Sequence, residues 1–123
     1  YTMSGHPLAC AAGLATLDVF REQRLFERAA ELAPYWQDAL HSLRDARHVI
    51  DIRNLGIIGG IELEPRPGKP TQRALETFRA CFERGVLIRV TADIIALSPP
   101  LIIEKAQIDQ IIETIRTVLA SID

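Results

Sequence analysis

The hydrophobic positions change period along the chain. From Pro7 to about Phe20 they form no stripe. Leu8, Ala9, Ala11, Ala12, Leu14, Ala15, Leu17, Val19 and Phe20 cover every side of a helix, and a helix apolar all round expects burial all round. Pro7 suits its first position, where a missing N–H costs nothing. Gly13 costs about 1 kcal/mol against alanine in a helix interior, so its small size predicts another element packed close. From about Gln23 to Leu43 the spacing becomes three and four. Leu25, Ala29, Leu32, Trp36, Leu40 and Leu43 make one core-facing stripe. Pro34 falls inside this helix and is expected to kink or break it.

The period then drops to two. Val49 to Asn54 alternates like a strand, Leu55-Gly56 reads as a bend, and Ile57 to Leu63 reads as a second strand thinned by Gly59 and Gly60. Glu64 to Pro70 carries three prolines and a glycine and is a loop. A third helix runs from about Thr71 to Arg84, with Leu75, Phe78 and Phe82 on one face and Gly85 as its stop. Val86 to Val90 is a strand, Thr91 to Asp93 a turn, and Ile94 to Leu97 the returning strand, ended by Ser98-Pro99-Pro100. The last helix spans about Lys105 to Ile122, with Ile108, Ile111, Ile112, Ile115, Leu119 and Ile122 as its stripe. The order α-α-β-β-α-β-β-α predicts a small two-layer α+β domain. Its short, mostly antiparallel sheet is covered on one face by helices. The first helix has more apolar surface than this layer can cover and reads as built to pack on something else.

At 123 residues the chain fits one domain. It is 48% hydrophobic and 24% charged with a formal net charge of -2, which points away from nucleic acid and anionic membrane partners. No apolar run is long enough for a bilayer-spanning helix, and no basic-then-apolar signal segment opens the chain. Two cysteines, Cys10 and Cys81, are too few for a disulfide framework. Both sit in helical patterns, are expected to be buried free thiols, and place the chain in the reducing cytoplasm. The histidines His6, His41 and His48 lack metal-ligand spacing, so no metal is expected. The opening Tyr1-Thr2-Met3-Ser4-Gly5-His6-Pro7 has no initiator methionine and no leading element, and reads as a piece of something longer. Ser4 and His6 are expected to cap the helix that Pro7 opens. Arg53 and Glu62 are expected to be solvated or salt-bridged strand residues.

Four segments, in order and with matching gaps, carry a family resemblance. The run from Thr2 to Ala12, the hairpin from Ile52 to Leu63, the segment Arg84 to Arg89 and the segment Leu97 to Leu101 together resemble the C-terminal part of class III aminotransferases. These are fold-type-I enzymes that use pyridoxal 5'-phosphate. The Tyr-Thr-x-Ser-x-His-Pro opening is most similar to the ω-amino acid:pyruvate transaminases. The resemblance implies that residues 1–22 are a linker segment and connecting helix from a large cofactor domain, and residues 23–123 the small C-terminal domain. It implies amino transfer from an amine or ω-amino acid to a keto acid such as pyruvate, in at least a homodimer.

The resemblance also assigns residues. Thr2 stands where the family donates a hydroxyl and backbone N–H to the cofactor phosphate of the neighbouring subunit, a role suited to short donors beside a dianion. The plainer alternative is chain ahead of a helix N-terminus. Arg89 stands where ω-transaminases carry the arginine that pairs with a substrate carboxylate; the alternative is a surface salt bridge. Ala96 stands near where ornithine-type members carry an arginine, which argues against ornithine or acetylornithine specificity. Strand alternation puts Val86, Ile88 and Val90 on one face and Leu87 and Arg89 on the other. Of the two lysines, Lys69 lies in the Pro/Gly loop and Lys105 opens an exposed helix. By the resemblance, the lysine that such chemistry requires lies upstream, so no catalytic residue is expected in this chain. Two competing readings are an aminomutase or decarboxylase on the same scaffold, and a non-catalytic stand-alone binding module.

Overall fold

The computed structural model describes residues 1–123. In chain order the elements are α1 (Pro7–Glu22), α2 (Leu25–His41), β1 (Val49–Leu55), β2 (Ile58–Leu63), α3 (Gln72–Glu83), β3 (Arg89–Thr91), β4 (Ile94–Leu97) and α4 (Lys105–Ser121). The strands form one antiparallel sheet in the order β1-β2-β4-β3. Helices α2, α3 and α4 cover one face of it, as the pattern predicts.

The core lies between that helical layer and the inward residues of the sheet. Trp36, Leu40 and Leu43 from α2 and its end meet Ile61, Leu63 and Ile95 from the sheet and Ile108, Ile115 and Leu119 from α4, all fully buried. Each such side chain stabilises the fold by roughly 1.5–3 kcal/mol. The Trp36 indole N–H finds no acceptor. The approach of α2 to the sheet is set at Gly59, where an added Cβ would stand 2.6 Å from Leu40 Cδ2 and 3.4 Å from the Trp36 ring. At Gly60, on the opposite face, the nearest atom to an added Cβ is 3.7 Å away.

Several local expectations change. Pro34 does not break α2. It and Ala30, whose carbonyl loses its partner, are both exposed, so the carbonyl is not left in a dry interior where the loss would cost most. The buried face of α3 is Arg73, Ala74, Thr77 and Cys81, whereas Leu75 and Phe82 are exposed and Phe82 stacks on Phe78 at 6.5 Å. Small residues let α3 lie close to its neighbours; of the bulky stripe Phe78 packs at the edge of the core, while Leu75 and Phe82 face outward. The first hairpin turns at Gly56-Ile57, one residue later than expected, with Gly56 at φ +55°. The expected strand from Val86 begins only at Arg89.

No residue of α1 is buried. The helix leans on α2, with Phe20 against Phe26 edge-to-face at 5.3 Å. Nothing in the chain lies within 4 Å of a Cβ added at Gly13, so the close neighbour expected there is not an element of this chain. Cys10, on α1, is exposed rather than buried; Cys81 is buried, and that burial pushes its thiol up to about 11. His6 precedes α1 without a side-chain capping bond, and Ser4 contributes only its backbone N–H, to the Tyr1 carbonyl. No helix is long and apolar enough to cross a membrane.

A polar cluster ties the loop between β2 and α3 to the chain end. Arg66 makes a two-pronged pair with Glu76 at 2.9 and 2.8 Å, and the nearly buried Arg73 donates to the Glu64 and Asp123 carbonyls. The Arg66 hydrogen bond holds the Glu76 carboxyl below the usual carboxylate range. Burial first, and Arg73 second, push the half-buried His48 below its usual value.

Two predictions follow from this packing. Gly59→Ala, which drives a methyl into Leu40 and Trp36, lowers stability by about 1–3 kcal/mol, while Gly60→Ala is near neutral; chemical denaturation of both variants checks the contrast. Both shifted groups have folded pKa values below their unfolded ones, so their contributions are present above the unfolded values and are lost as pH falls. Stability therefore declines first below about pH 6.5, as His48 gains its proton more readily unfolded, and again below about pH 4.3 for Glu76. Denaturation midpoints against pH show two steps, and His48→Asn removes the upper one.

Candidate functional site

Strands β3 and β4 pair only at Thr91–Ile94, Val90–Ile95 and Arg89–Ala96. Beyond that last pair the two chains separate into a fork. On one arm, Val86 and Ile88 turn into the core, and the Val86 N–H bonds to the Cys81 carbonyl at the end of α3. On the other arm Pro99 and Pro100 have no N–H to give a ladder. A cavity of about 850 Å³ opens in the fork, with Leu87 and Ile88 on one side, Ser98 and the prolines on the other, and Trp36 and Ile103 deeper in.

Arg89 stands at the apex. It is exposed, and its alternation partners fall as expected: Val86 and Ile88 are buried and Leu87 is exposed. It is the only charged side chain lining the cavity. It makes no hydrogen bond or ion pair within the chain. Of the other eleven arginines, ten hold a carboxylate, a carbonyl or another side chain, and Arg79 sits close enough to Glu76 to lower its pKa. Arg89 therefore has its planar donor fork free beside an apolar cavity, which suits two-pronged capture of a carboxylate. Ala96, its cross-strand partner, also lines the cavity.

The helix-free face of the sheet carries a row running Arg53–Gly60–Ala96–Arg89 across all four strands. The two ends differ. Asp51 and Glu62 face each other across β1 and β2, a like-charge pairing that would be destabilising alone. Arg53 bridges them, 2.8 Å from Glu62 and also bonded to Asp51. Those hydrogen bonds, Glu62 first, raise the Arg53 pKa. Arg53 and Glu62 are thus salt-bridged strand residues, as the sequence suggests.

Thr2 lies in an exposed turn that runs from Tyr1 to α1, closed by the Ser4 N–H on the Tyr1 carbonyl at 3.0 Å and by Gly5 at φ +75°. Its hydroxyl has no partner in the chain, so it is free to donate. The structure does not bring Thr2 and Arg89 together: Thr2 precedes α1, which leans on α2, whereas β3 is flanked by β4 and α3. Neither lysine lines the cavity. Lys69 is in the loop, and Lys105 lies over the Tyr35 ring at 4.7 Å. No three His, Cys, Asp or Glu side chains gather as a metal site needs.

One residue at this site is invisible to sequence reasoning. Arg28, on α2, donates from Nη1 to the carbonyls of Leu101 at 3.0 Å and Ile103 at 2.8 Å. These bonds hold one arm of the fork across separations of 73 and 75 residues. No local pattern announces such a contact.

Comparison with known proteins places the chain in a family. A family model described as aminotransferase class-III matches residues 1–119. The omega-aminotransferase of Caulobacter vibrioides is 69% identical over 123 residues, which are all of this chain and 28% of that protein. The beta-alanine–pyruvate aminotransferase of Pseudomonas aeruginosa is 38% identical over 122 residues, 99% of this chain and 27% of its own. The solved structure of a thermostable omega transaminase mutant from Pseudomonas jessenii superposes with a TM-score of 0.89 at 28% identity, over 98% of this chain and 28% of that one. The chain thus spans about a quarter of the length of the curated relatives it matches.

Proposed function

The chain belongs to the class III aminotransferases, and from that premise we propose that it is the C-terminal part of an enzyme transferring an amino group from an amine or ω-amino acid to a keto acid such as pyruvate. Class III aminotransferases generally use pyridoxal phosphate. When bound, that group supplies an electron sink for the pair left when the carbon beside the amine loses its proton. In this reading residues 1–22 connect to a large cofactor domain, residues 23–123 form the small domain, and the enzyme works as at least a homodimer. The free thiols of Cys10 and Cys81 suit a cytoplasmic setting.

The observation that carries the reading is the lone, unpaired guanidinium of Arg89 lining an apolar cavity. Arg89 binds the carboxylate of the keto acid or amino acid, and the apolar walls receive the rest of the molecule. Ala96 keeps the space beside it free of a second cation. Thr2 fits the needs of the cofactor phosphate: its hydroxyl is exposed and unengaged, and the chain turns just ahead of a helix N-terminus. In the dimer Thr2 reaches the cofactor of the neighbouring subunit, which is consistent with its separation from Arg89 in this chain. The lysine that carries the cofactor lies outside the residues described.

Arg89→Ala in the full-length enzyme is expected to raise KM for the keto acid by about tenfold or more, the loss of a charged hydrogen-bonded pair, with a much smaller effect on the half-reaction with an amine that lacks a carboxylate. Arg89→Lys recovers only part of the loss, since an ammonium cannot reproduce the planar fork. Equal slowing of both half-reactions, or of neither, returns Arg89 to a structural role. Thr2→Ala is expected to weaken cofactor binding by about 1.5–3 kcal/mol with little change in melting temperature. Equilibrium dialysis of the cofactor measures it, and unchanged affinity rejects the phosphate contact.

A further inference from the structure

We propose that Arg28 is a positioning residue for the carboxylate site: it sets the opening of the fork and, through it, the wall against which Arg89 holds its ligand. The proposal rests on the carboxylate reading of Arg89 and adds a residue to it. The arm from Ser98 to Ile103 is poorly tethered by its own backbone. Pro99 and Pro100 offer no N–H, and the only backbone hydrogen bond closing the arm is internal, from the Ile103 N–H to the Pro100 carbonyl at 3.0 Å. The two bonds from Arg28 Nη1 are the only hydrogen bonds that join this arm to another element. Both are charge-assisted and part-buried, so they are stronger than ordinary ones.

The consequence reaches the cavity from two directions. Ile103, whose carbonyl Arg28 holds, is buried and lines the cavity together with Pro99 and Pro100. The same arm continues directly from β4, whose Ala96 makes the last pair with Arg89. Ala96 and Leu97 stay paired to β2, so if the arm swings it is the wall of Ser98, Pro99 and Pro100 that moves relative to Arg89. Misplacement of a binding group by about 1 Å is enough to cost a large factor in its effect. A further feature marks Arg28 off from Arg89. A single nitrogen of Arg28 serves both carbonyls, so a lysine ammonium, itself a single nitrogen with three donors, can reproduce the contact.

The test is made on the full-length, cofactor-loaded enzyme with Arg28→Ala, Arg28→Lys, Arg89→Ala and the Arg28→Ala/Arg89→Ala double variant, with melting temperature recorded for each. Arg28→Met, which keeps most of the stem and loses the donors, replaces Arg28→Ala if the latter does not fold. The expected result is a KM for pyruvate raised about tenfold by Arg28→Ala, with a smaller change in kcat and a smaller change in KM for a carboxylate-free amine. Arg28→Lys restores most of the keto-acid KM, and the double variant is little worse than Arg89→Ala alone, since the two act through one site. An unchanged keto-acid KM, equal damage to both half-reactions, no rescue by lysine, or additive losses each overturns the proposal. If Arg89→Ala raises the keto-acid KM and Arg28→Ala does not, only the role of Arg28 falls. If Arg89→Ala has no effect either, the carboxylate reading fails and takes this proposal with it.

Discussion

An added Cβ at position 59 would stand 2.6 Å from Leu40 Cδ2, so α2 rests directly on the backbone of β2 with no side chain between them. The rest of the layer is placed by this contact. It brings Trp36 and Leu40 down onto the sheet, where both become fully buried. It leaves Ile61 and Leu63 to fill the space toward α4, and it fixes the direction of α2, and so the point at which Arg28 meets the loop before α4. A protein interior packed to near-crystalline density passes such a constraint on with little slack. The separation of helix from sheet at one glycine is thereby linked to the width of the cavity that Gly59 and Trp36 themselves line.

Charge is distributed on the same plan. Arg66 and Arg73 hold the loop ahead of α3 against the chain end, Arg53 reconciles two facing carboxylates, and Arg28 braces the fork. The exposed Arg53 pairs add little to stability, while the part-buried contacts of Arg66, Arg73 and Arg28 fix loops that have few hydrogen bonds of their own. Against that background an arginine with no partner stands out. A free guanidinium beside apolar walls is available to a ligand carboxylate, and the energy of that pairing is not already committed within the fold.

The exposed surface of α1 and the open face of the sheet belong together in this account. Leu8, Leu14 and Leu17 are solvent-facing, far more apolar exposure than a single helix of a closed domain carries. The sheet likewise has helices on one face only. Two of the relatives it matches are between three and four times as long, since this chain covers 28% and 27% of them. A short layer with one bare face and an unsheltered helix is the shape of a part that completes its site against further structure.

The sequence by itself determined the elements, their order and the faces of the isolated strands. The three-and-four spacing of α4, the alternation around Ile52, and the opposition of Ile88 to Arg89 all survive in the structure, because each is a statement about neighbours a few residues apart. Tertiary structure decided the rest. Periodicity shows which positions are apolar but not which face has room, so α3 buries Arg73, Ala74, Thr77 and Cys81 and turns Leu75 and Phe82 outward. It shows that residues 86–90 favour an extended chain but not whether a partner strand is there to bond, so the strand begins only at Arg89 and the fork opens before it. It marks Pro34 as a break, yet the carbonyl left unbonded belongs to an exposed residue and the buried stripe holds the helix continuous. The grip of Arg28 on Leu101 and Ile103 had no sequence signal, because a side chain donating to backbone carbonyls more than seventy residues away depends on where two elements come to rest. Local chemistry cannot specify that position; only the packing of the whole layer does.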